Sequence, residues 1–368
     1  MTDLKDYGIK DIPFLKIPAI KINSKDIRAN GTIFYSDFAE TQIQEMIQMI
    51  RLNAFPWIFL ESGGPALGNG KSAFMAHVYW ALKKENKNVL WAVAKDNPRM
   101  RNLLAEIVES FVGEEKLNLI REKLVDISTK SIKKALDKGP INYGSNVIQS
   151  LNKLLNEDDD RIIYTFSTIK RRVPTQEHAE LFAALINLSY TLGETKYTIF
   201  IDQFEEYVLA HESASLKRKL GHQINDLQRE IGEYVTYVVS THPRVTNELI
   251  SSVPEAETFT AVDTSSVEMP HMTSDDLVNM IGLYLKFFRI SGFKKDKLHP
   301  FDKKIMFYAA ERTDLIPRKL IQAMRLCLVY GSIYNYDLIN EEFILKYHTK
   351  VFGGLENKYK EYINKKWP

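Results

Sequence analysis

Residues 61–72 read Glu-Ser-Gly-Gly-Pro-Ala-Leu-Gly-Asn-Gly-Lys-Ser, and the apolar run Phe55–Leu60 (FPWIFL) leads directly into them. A run of that length stopped by glycines predicts a buried strand. Behind the glycines, the spacing predicts a helix from Lys71 to about Lys84. Between such elements, glycines let the backbone turn so that successive N–H groups converge on an oxyanion, and the helix adds its positive N-terminal end. The stretch is therefore a phosphate cradle. Gly68, Asn69, Gly70, Lys71 and Ser72 form its C-terminal half, Ala73 continues into the helix, and Gly64, Pro65, Ala66 and Leu67 form its front. Lys71 is placed to reach the terminal phosphates, and the Ser72 hydroxyl to ligate Mg²⁺. The usual pattern wants glycine five residues before Gly70, where Pro65 stands. The front of the loop is thus displaced by one residue onto Gly64, or carries a variant turn.

Outward from the cradle, further strands are predicted at Asn88–Ala94 (NVLWAVA), Arg161–Ile169 (RIIYTFSTI), Tyr197–Ile201 (YTIFI) and Tyr234–Ser240 (YVTYVVS). Helices are predicted over 38–52 (capped by Ser36 or Asp37), through most of 99–157, over 176–192 with Gly193 closing it, and over 213–232. The acidic run Glu157–Asp160 reads as a solvated turn, and Phe14–Ile22 as an edge strand interrupted by Pro18. Beyond about residue 270 only helices are predicted, at 274–288, 302–312, 317–330 and 340–351. Strands alternating with helices imply a parallel sheet covered on both faces. The fold class is α/β, a parallel-sheet core followed by an all-helical part. The expected organisation is an N-terminal extension (1–35), an α/β domain (36–270) with a helical insertion at about 99–157, a helical lid (271–351) and a tail (352–368).

A second motif supports the cradle. Residues Tyr197–Glu206, YTIFIDQFEE, are an apolar strand ending in an acid. In a parallel sheet all strand C-termini face one crevice, so Asp202 is expected beside the phosphate loop, holding Mg²⁺. Glu205 or Glu206 is the candidate for orienting an attacking water, with Glu205 preferred. The strand ending at Ser240 delivers Thr241 and His242, either as contacts to a terminal phosphate or as caps of the next helix. Arg244 reads as a solvated arginine, with a role toward a neighbouring subunit's nucleotide as the alternative. Pro317 suits the first turn of a helix. Arg318 then sits at that helix's positive end, where a cation is unfavourable unless an anion is near; ATP phosphate is the obvious anion.

The 368 residues, 45% hydrophobic and 26% charged, exclude a disordered, collagen-like or low-complexity chain. Lys plus Arg number 49 and Asp plus Glu 47, a net charge of +2 that gives no global case for a polyanion partner. Local basic clusters remain at Lys130–Lys138, Lys170–Arg172, Lys294–Lys297 and Lys358–Lys366, each more simply read as solvated surface. The single cysteine, Cys327, excludes an intrachain disulfide and reads as a small buried apolar residue. No apolar run approaches the roughly 20 residues of a membrane helix, and the N-terminus lacks a signal-peptide pattern. A cytoplasmic protein with no membrane partner is expected.

Taken in order, GNGKS, FIDQFEE, STH and LIPRKLI resemble an AAA+ ATPase of the origin-initiator and TnsC/TniB-like group. Val267–Met272 (VEMPHM), Ser274-Asp275-Asp276, His299-Pro300-Phe301 and Ile316-Pro317-Arg318 look like the lid of archaeal initiator-type and phage-defence ATPases. The DQFEE form is also similar to STAND-type signalling ATPases. The resemblance implies a five-stranded parallel sheet with a helical lid, ATP and Mg²⁺ at their junction, and homo-oligomeric rings or filaments. It makes Arg318 the sensor-2 arginine and Thr241, or a neighbour, sensor 1. Related ATPases place glutamate directly after the strand-end aspartate; Gln203 stands there instead, and with Pro65 it argues against fast turnover. Only about 17 residues follow Val351, too few for the winged helix of initiators, which weakens that role. The expected function is an ATP-hydrolysing protein that couples nucleotide state to assembly and to a partner, double-stranded DNA or another protein. The alternative is a STAND-like switch or scaffold with little hydrolysis; a small-molecule kinase is the weaker third reading.

Overall fold

The computed structural model describes residues 4–14, 20–62, 68–94, 100–139, 141–167, 175–205, 231, 234–242, 264–353, 359 and 362. The chain divides into two compact units. One comprises Gln42–Gly63 and Val78–Glu268, the other Met1–Thr41, Gly64–His77 and Met269–Pro368.

The first unit is built on strands β1 (Trp57–Glu61), β2 (Asn88–Val93), β3 (Tyr197–Asp202), β4 (Val235–Ser240) and β5 (Thr264–Glu268). They form one sheet in the order β2-β3-β4-β1-β5. Every pairing is parallel. All six residues of both β3 and β4 are buried, as a sheet covered on two faces requires. Trp57 stacks on Tyr237 at 4.3 Å between ring centroids, and Trp91 on Phe200 at 6.0 Å, so cross-strand aromatic pairs reinforce the ladder.

Helix α1 (Glu40–Leu52) follows a short 3₁₀ turn, Asp37–Ala39, and buries Ile43, Met46, Ile47 and Ile50. Ser36 sits at the cap position of that turn without a side-chain cap bond, so the expected capping by Ser36 is not used. Helix α2 (Lys71–Lys84) follows β1. Helices α3 (Met100–Gly113), α4 (Lys116–Lys123), α5 (Thr129–Leu136) and α6 (Ser145–Leu155) form the helical region between β2 and β3. The Ser110 hydroxyl of α3 accepts from the Trp91 backbone N–H at 2.9 Å, fixing that helix to β2.

One expectation is overturned in this region. Of the strand expected over 161–169, the described part is helical: α7 spans Asp159–Ser167. Ile162 and Phe166, four apart, are its buried pair, which is helical spacing. The acidic run is a partly exposed bend that leads into the first turn of α7. Asp158 accepts from the Arg161 N–H at 2.8 Å, and Asp159 pairs with Arg121 at 2.9 Å. The fifth strand is instead β5, in which only Val267 is buried. After α7 comes α8 (Thr175–Thr191), with Gly193 beyond it at φ +98°. The helix expected over 213–232 and the basic triplet 170–172 lie outside the described residues.

The second unit contains α9 (Ser274–Phe288), α10 (Lys303–Arg312), α11 (Pro317–Ile333) and α12 (Glu341–Phe352). Their starts follow capping chemistry. Thr273 and Asp276 form a reciprocal capping box on α9, Asp302 accepts from the Lys304 N–H at 2.7 Å, and Asn340 accepts from the Phe343 N–H at 3.2 Å. The N-terminal residues are part of this unit rather than an extension, because Tyr7, Ile9 and Phe14 are fully buried among these helices. Ile9 bridges Arg289, and the Tyr7 hydroxyl donates to the Tyr336 carbonyl. The described part of 14–22 carries no strand. Cys327 is buried in the same core, and burial pushes its thiol well above the usual range.

Candidate nucleotide site

The residues expected at the site lie in two stretches, and each is described in its own unit. In the helical unit, Gly68 and Gly70 have φ of +95° and +96°, a region only glycine enters cheaply. Space decides Gly68 as well. A Cβ there would fall 3.0 Å from Arg318 Cβ and 3.1 Å from Ile316 Cγ2. A Cβ on Gly70 would meet only Met269, at 3.9 Å, so that glycine is required by its conformation. The Gly70 carbonyl accepts from the Phe74 N–H at 2.9 Å, the first bond of α2. Lys71 is therefore the first residue of α2, and it is 7% exposed. Both burial and the helix dipole disfavour a cation at that place. Asn69, Ser72 and Ala73 are half-buried around it. Gly64, Pro65, Ala66 and Leu67 lie outside the described residues.

Arg318 belongs to the same unit and meets this loop through its backbone. Its N–H donates to the Gly68 carbonyl at 3.3 Å. Pro317 occupies the first turn of α11, as expected. The Arg318 side chain is exposed and makes no ion pair among the described residues, whereas its neighbour Lys319 pairs with Asp314 at 2.7 Å.

In the sheet unit, the parallel register puts the C-terminal ends of β1, β3 and β4 along one edge. Val93 lies opposite Asp202, Ile201 opposite Val239, and Leu60 opposite Ser240. Asp202 ends β3 and is 1% exposed. Its Oδ1 accepts from the Gln203 N–H at 3.0 Å and from the Ser240 hydroxyl at 3.2 Å. Ser240 Oγ in turn accepts from the Gln203 N–H at 2.9 Å. Gln203 itself is left-handed, with φ +60°, so the chain turns sharply at the position after the acid. The N–H of fully buried Thr241 donates to the Leu60 carbonyl at 3.0 Å, extending the β4–β1 ladder by one residue. Glu205 is half-buried one short turn beyond Asp202; Glu206 and Arg244 lie outside the described residues.

The structure thus brings Gly68 together with Arg318, and Asp202 with Gln203 and Ser240. The Ser240 tie and the left-handed Gln203 were not read from the sequence, which has no signal for the strand register that creates them. Among the described residues there is no cluster of three or more His, Cys, Asp or Glu side chains for a metal. A carboxylate and a hydroxyl are oxygen donors of the kind that suit Mg²⁺. Among the described residues no helix is long and apolar enough to cross a membrane.

No protein-family model and no curated protein matches the chain. Solved structures do. The ORC2 protein of Aeropyrum pernix, in ADPNP–ADP complexes, aligns over 93% of this chain and 73% of its own, with 12% identity and a TM-score of 0.54. The ADP form of that protein aligns over 97% and 73%, with 13% identity and a TM-score of 0.51. A Walker-type ATPase of Pyrococcus abyssi aligns over 88% and 75%, with 13% identity and a TM-score of 0.48. The five-stranded parallel sheet, the glycine loop opening α2 and the likeness to the ORC2 structures agree: the chain has the α/β P-loop AAA+ fold.

Proposed function

We propose that the protein binds ATP with Mg²⁺, hydrolyses it, and couples nucleotide state to self-assembly and to a partner such as double-stranded DNA. The observation that carries this reading is the loop itself: two left-handed glycines deliver a buried lysine to the first position of a helix. Lys71 and the N–H groups at the start of α2 hold the phosphates, and Arg318 adds a second positive charge to them. Ser72 and Asp202 are the side chains for Mg²⁺, which when bound neutralises phosphate charge and polarises the terminal group. Ser240 and the Gln203 N–H keep the Asp202 carboxylate oriented. Glu205 or Glu206 orients water, and Thr241 with its neighbours senses the terminal phosphate. The likeness to ORC2, solved with ADPNP and ADP, supports the nucleotide. The resemblance to origin initiators is what suggests DNA as the partner. Titration with a fluorescent ATP analogue tests the claim. Lys71→Ala should weaken binding more than about tenfold, because it removes charge-assisted contacts of roughly 1.5–3 kcal/mol each; unchanged affinity would remove the phosphate-loop assignment.

A second reading is favoured by one feature. Gln203 stands where a polarising glutamate would stand, and its backbone is committed to Asp202 and Ser240. On that reading the protein is a nucleotide-dependent switch or scaffold. DNA-stimulated turnover selects the ATPase machine, and retention of ATP with negligible turnover selects the switch. Light scattering with and without ATP reads assembly in either case.

A further inference from the structure

Within the helical unit, a cleft of about 630 Å³ lies among residues 34–37, α9 and the loop 293–297, a volume in the range of small-molecule sites. Its charge is lopsided. Lys286, Arg289, Lys295 and Lys297 line it against one carboxylate, Asp37, in a chain whose overall charge is only +2. Arg289 is a fixed member of the frame. Its guanidinium donates to the carbonyls of Tyr7 at 2.9 Å, Lys297 at 3.1 Å and His299, and lies 4.7 Å from the centre of the Phe293 ring. The lysines are different. Lys286, Lys295 and Lys297 are exposed, and Lys286 and Lys297 form no ion pair among the described residues. Lys295 approaches only the His299 imidazole, at 3.5 Å. Buried His299 registers the same field: burial first, then the charges of Lys295 and Arg289, hold its pKa down at about 4.

The remaining wall is aromatic. Phe34, Tyr35 and Phe293 line the cleft, each half-buried. Tyr35 is held by stacking on Phe38 at 11° between planes, and Phe34 by edge contact with Phe74. Phe293 lies where a Cβ of Gly8 would be, 2.1 Å from the ring, and Gly8 has φ +68°. Packed rings beside exposed ammonium groups are the pairing that stacks a base and neutralises its phosphate.

We infer that this cleft binds a nucleotide through its phosphate, on Lys286, Lys295 and Lys297, and through its base, against Phe34, Tyr35 and Phe293, as a site separate from the loop at Gly68–Ser72. Asp37 and Asn279 offer an acceptor and an amide to the edge of the base. A free nucleotide and a nucleotide of a single strand present the same chemistry. The probes are a fluorescein-labelled oligothymidylate of about twelve nucleotides, within the site sizes such grooves cover, with dTMP and inorganic tripolyphosphate as competitors. Anisotropy is measured on the full chain without added nucleotide and again on its Lys71→Ala variant, so that binding at the phosphate loop and binding in the cleft are told apart. The oligonucleotide should bind. Lys286→Glu with Lys297→Glu should weaken it at least about tenfold, more so at low salt, and Tyr35→Leu several-fold. The milder pair Lys295→Gln with Lys297→Gln should act in the same direction if the charge reversal perturbs folding. Displacement by dTMP assigns a free nucleotide, and binding of the strand alone assigns a chain; either supports the site. No binding, indifference to both lysine pairs, or tripolyphosphate competing as well as the oligonucleotide while Tyr35→Leu binds normally would overturn it.

Discussion

The hydroxyl of Ser240, at the end of β4, donates to Oδ1 of Asp202 at the end of β3, 3.2 Å away. The pair exists because parallel register aligns two strand ends that are 38 positions apart in sequence. The same hydroxyl accepts from Gln203 at 2.9 Å, so one serine steadies both the acid and the turn after it. Ser240→Ala should cost about 1–3 kcal/mol, the usual penalty for unmaking a buried bond to a charged group. Chemical denaturation measures that loss. On the proposed function, Mg²⁺-dependent nucleotide affinity should fall with it, while affinity measured without metal changes little.

Gly68 is constrained twice, by its left-handed backbone and by the side chains of Arg318 and Ile316. Gly68→Ala should destabilise the protein by about 1–2 kcal/mol from backbone strain alone, with more from the 3.0 Å approach. Gly70→Ala, which meets nothing closer than 3.9 Å, should cost only the strain. A larger drop in melting temperature for the Gly70 variant would contradict this ordering.

Arg318 has an exposed side chain without an ion pair among the described residues. Arg318→Ala should therefore leave stability within about 0.5 kcal/mol, as for other surface substitutions. On the proposed function, turnover should fall at least about tenfold, in the manner of a lost transition-state donor. Equal turnover in the two proteins would deprive Arg318 of its role.

His299 makes stability depend on pH. Burial, then Lys295 and Arg289, keep its folded imidazole neutral down to about pH 4, against 6.5 for the free group. Between those values the unfolded chain takes up a proton that the folded chain refuses. Stability from this group is therefore intact above pH 6.5 and declines as pH falls toward 4, by at most about 3 kcal/mol. Across that window the melting temperature of the native protein should fall more steeply than that of His299→Gln. Parallel profiles would rule the histidine out.

The sheet and the loop were legible because their signals are local. The run Phe55–Leu60 and the glycines after it lie in one stretch, and Tyr197–Asp202 carries its acid at its own end. The errors came from the same kind of evidence. Arg161–Ile169 is rich in Ile, Tyr and Thr, strand-forming residues, yet Ile162 and Phe166 at helical spacing and the Asp158 cap prevail. Strand β5 reads Thr-Ser-Ser-Val-Glu with one buried side chain. It is a strand because β1 offers it an edge, a fact of tertiary pairing that no local pattern carries. The N-terminal residues read as an appendage for a related reason: the partners of Tyr7 and Phe14 lie about three hundred positions downstream, beyond any window of periodicity.

The bond from Arg318 to the Gly68 carbonyl has a consequence in time. The loop's backbone leans on a helix translated some 250 positions after it, and the first turns of the chain wait for the same helices to cover Tyr7 and Phe14. On the ribosome, the parallel strands can pair before the residues beyond about 270 are made, but the bend before Lys71 lacks its bond to Arg318 until that helix emerges. A chain cut near residue 270 would thus keep the sheet without the Arg318 brace on its loop.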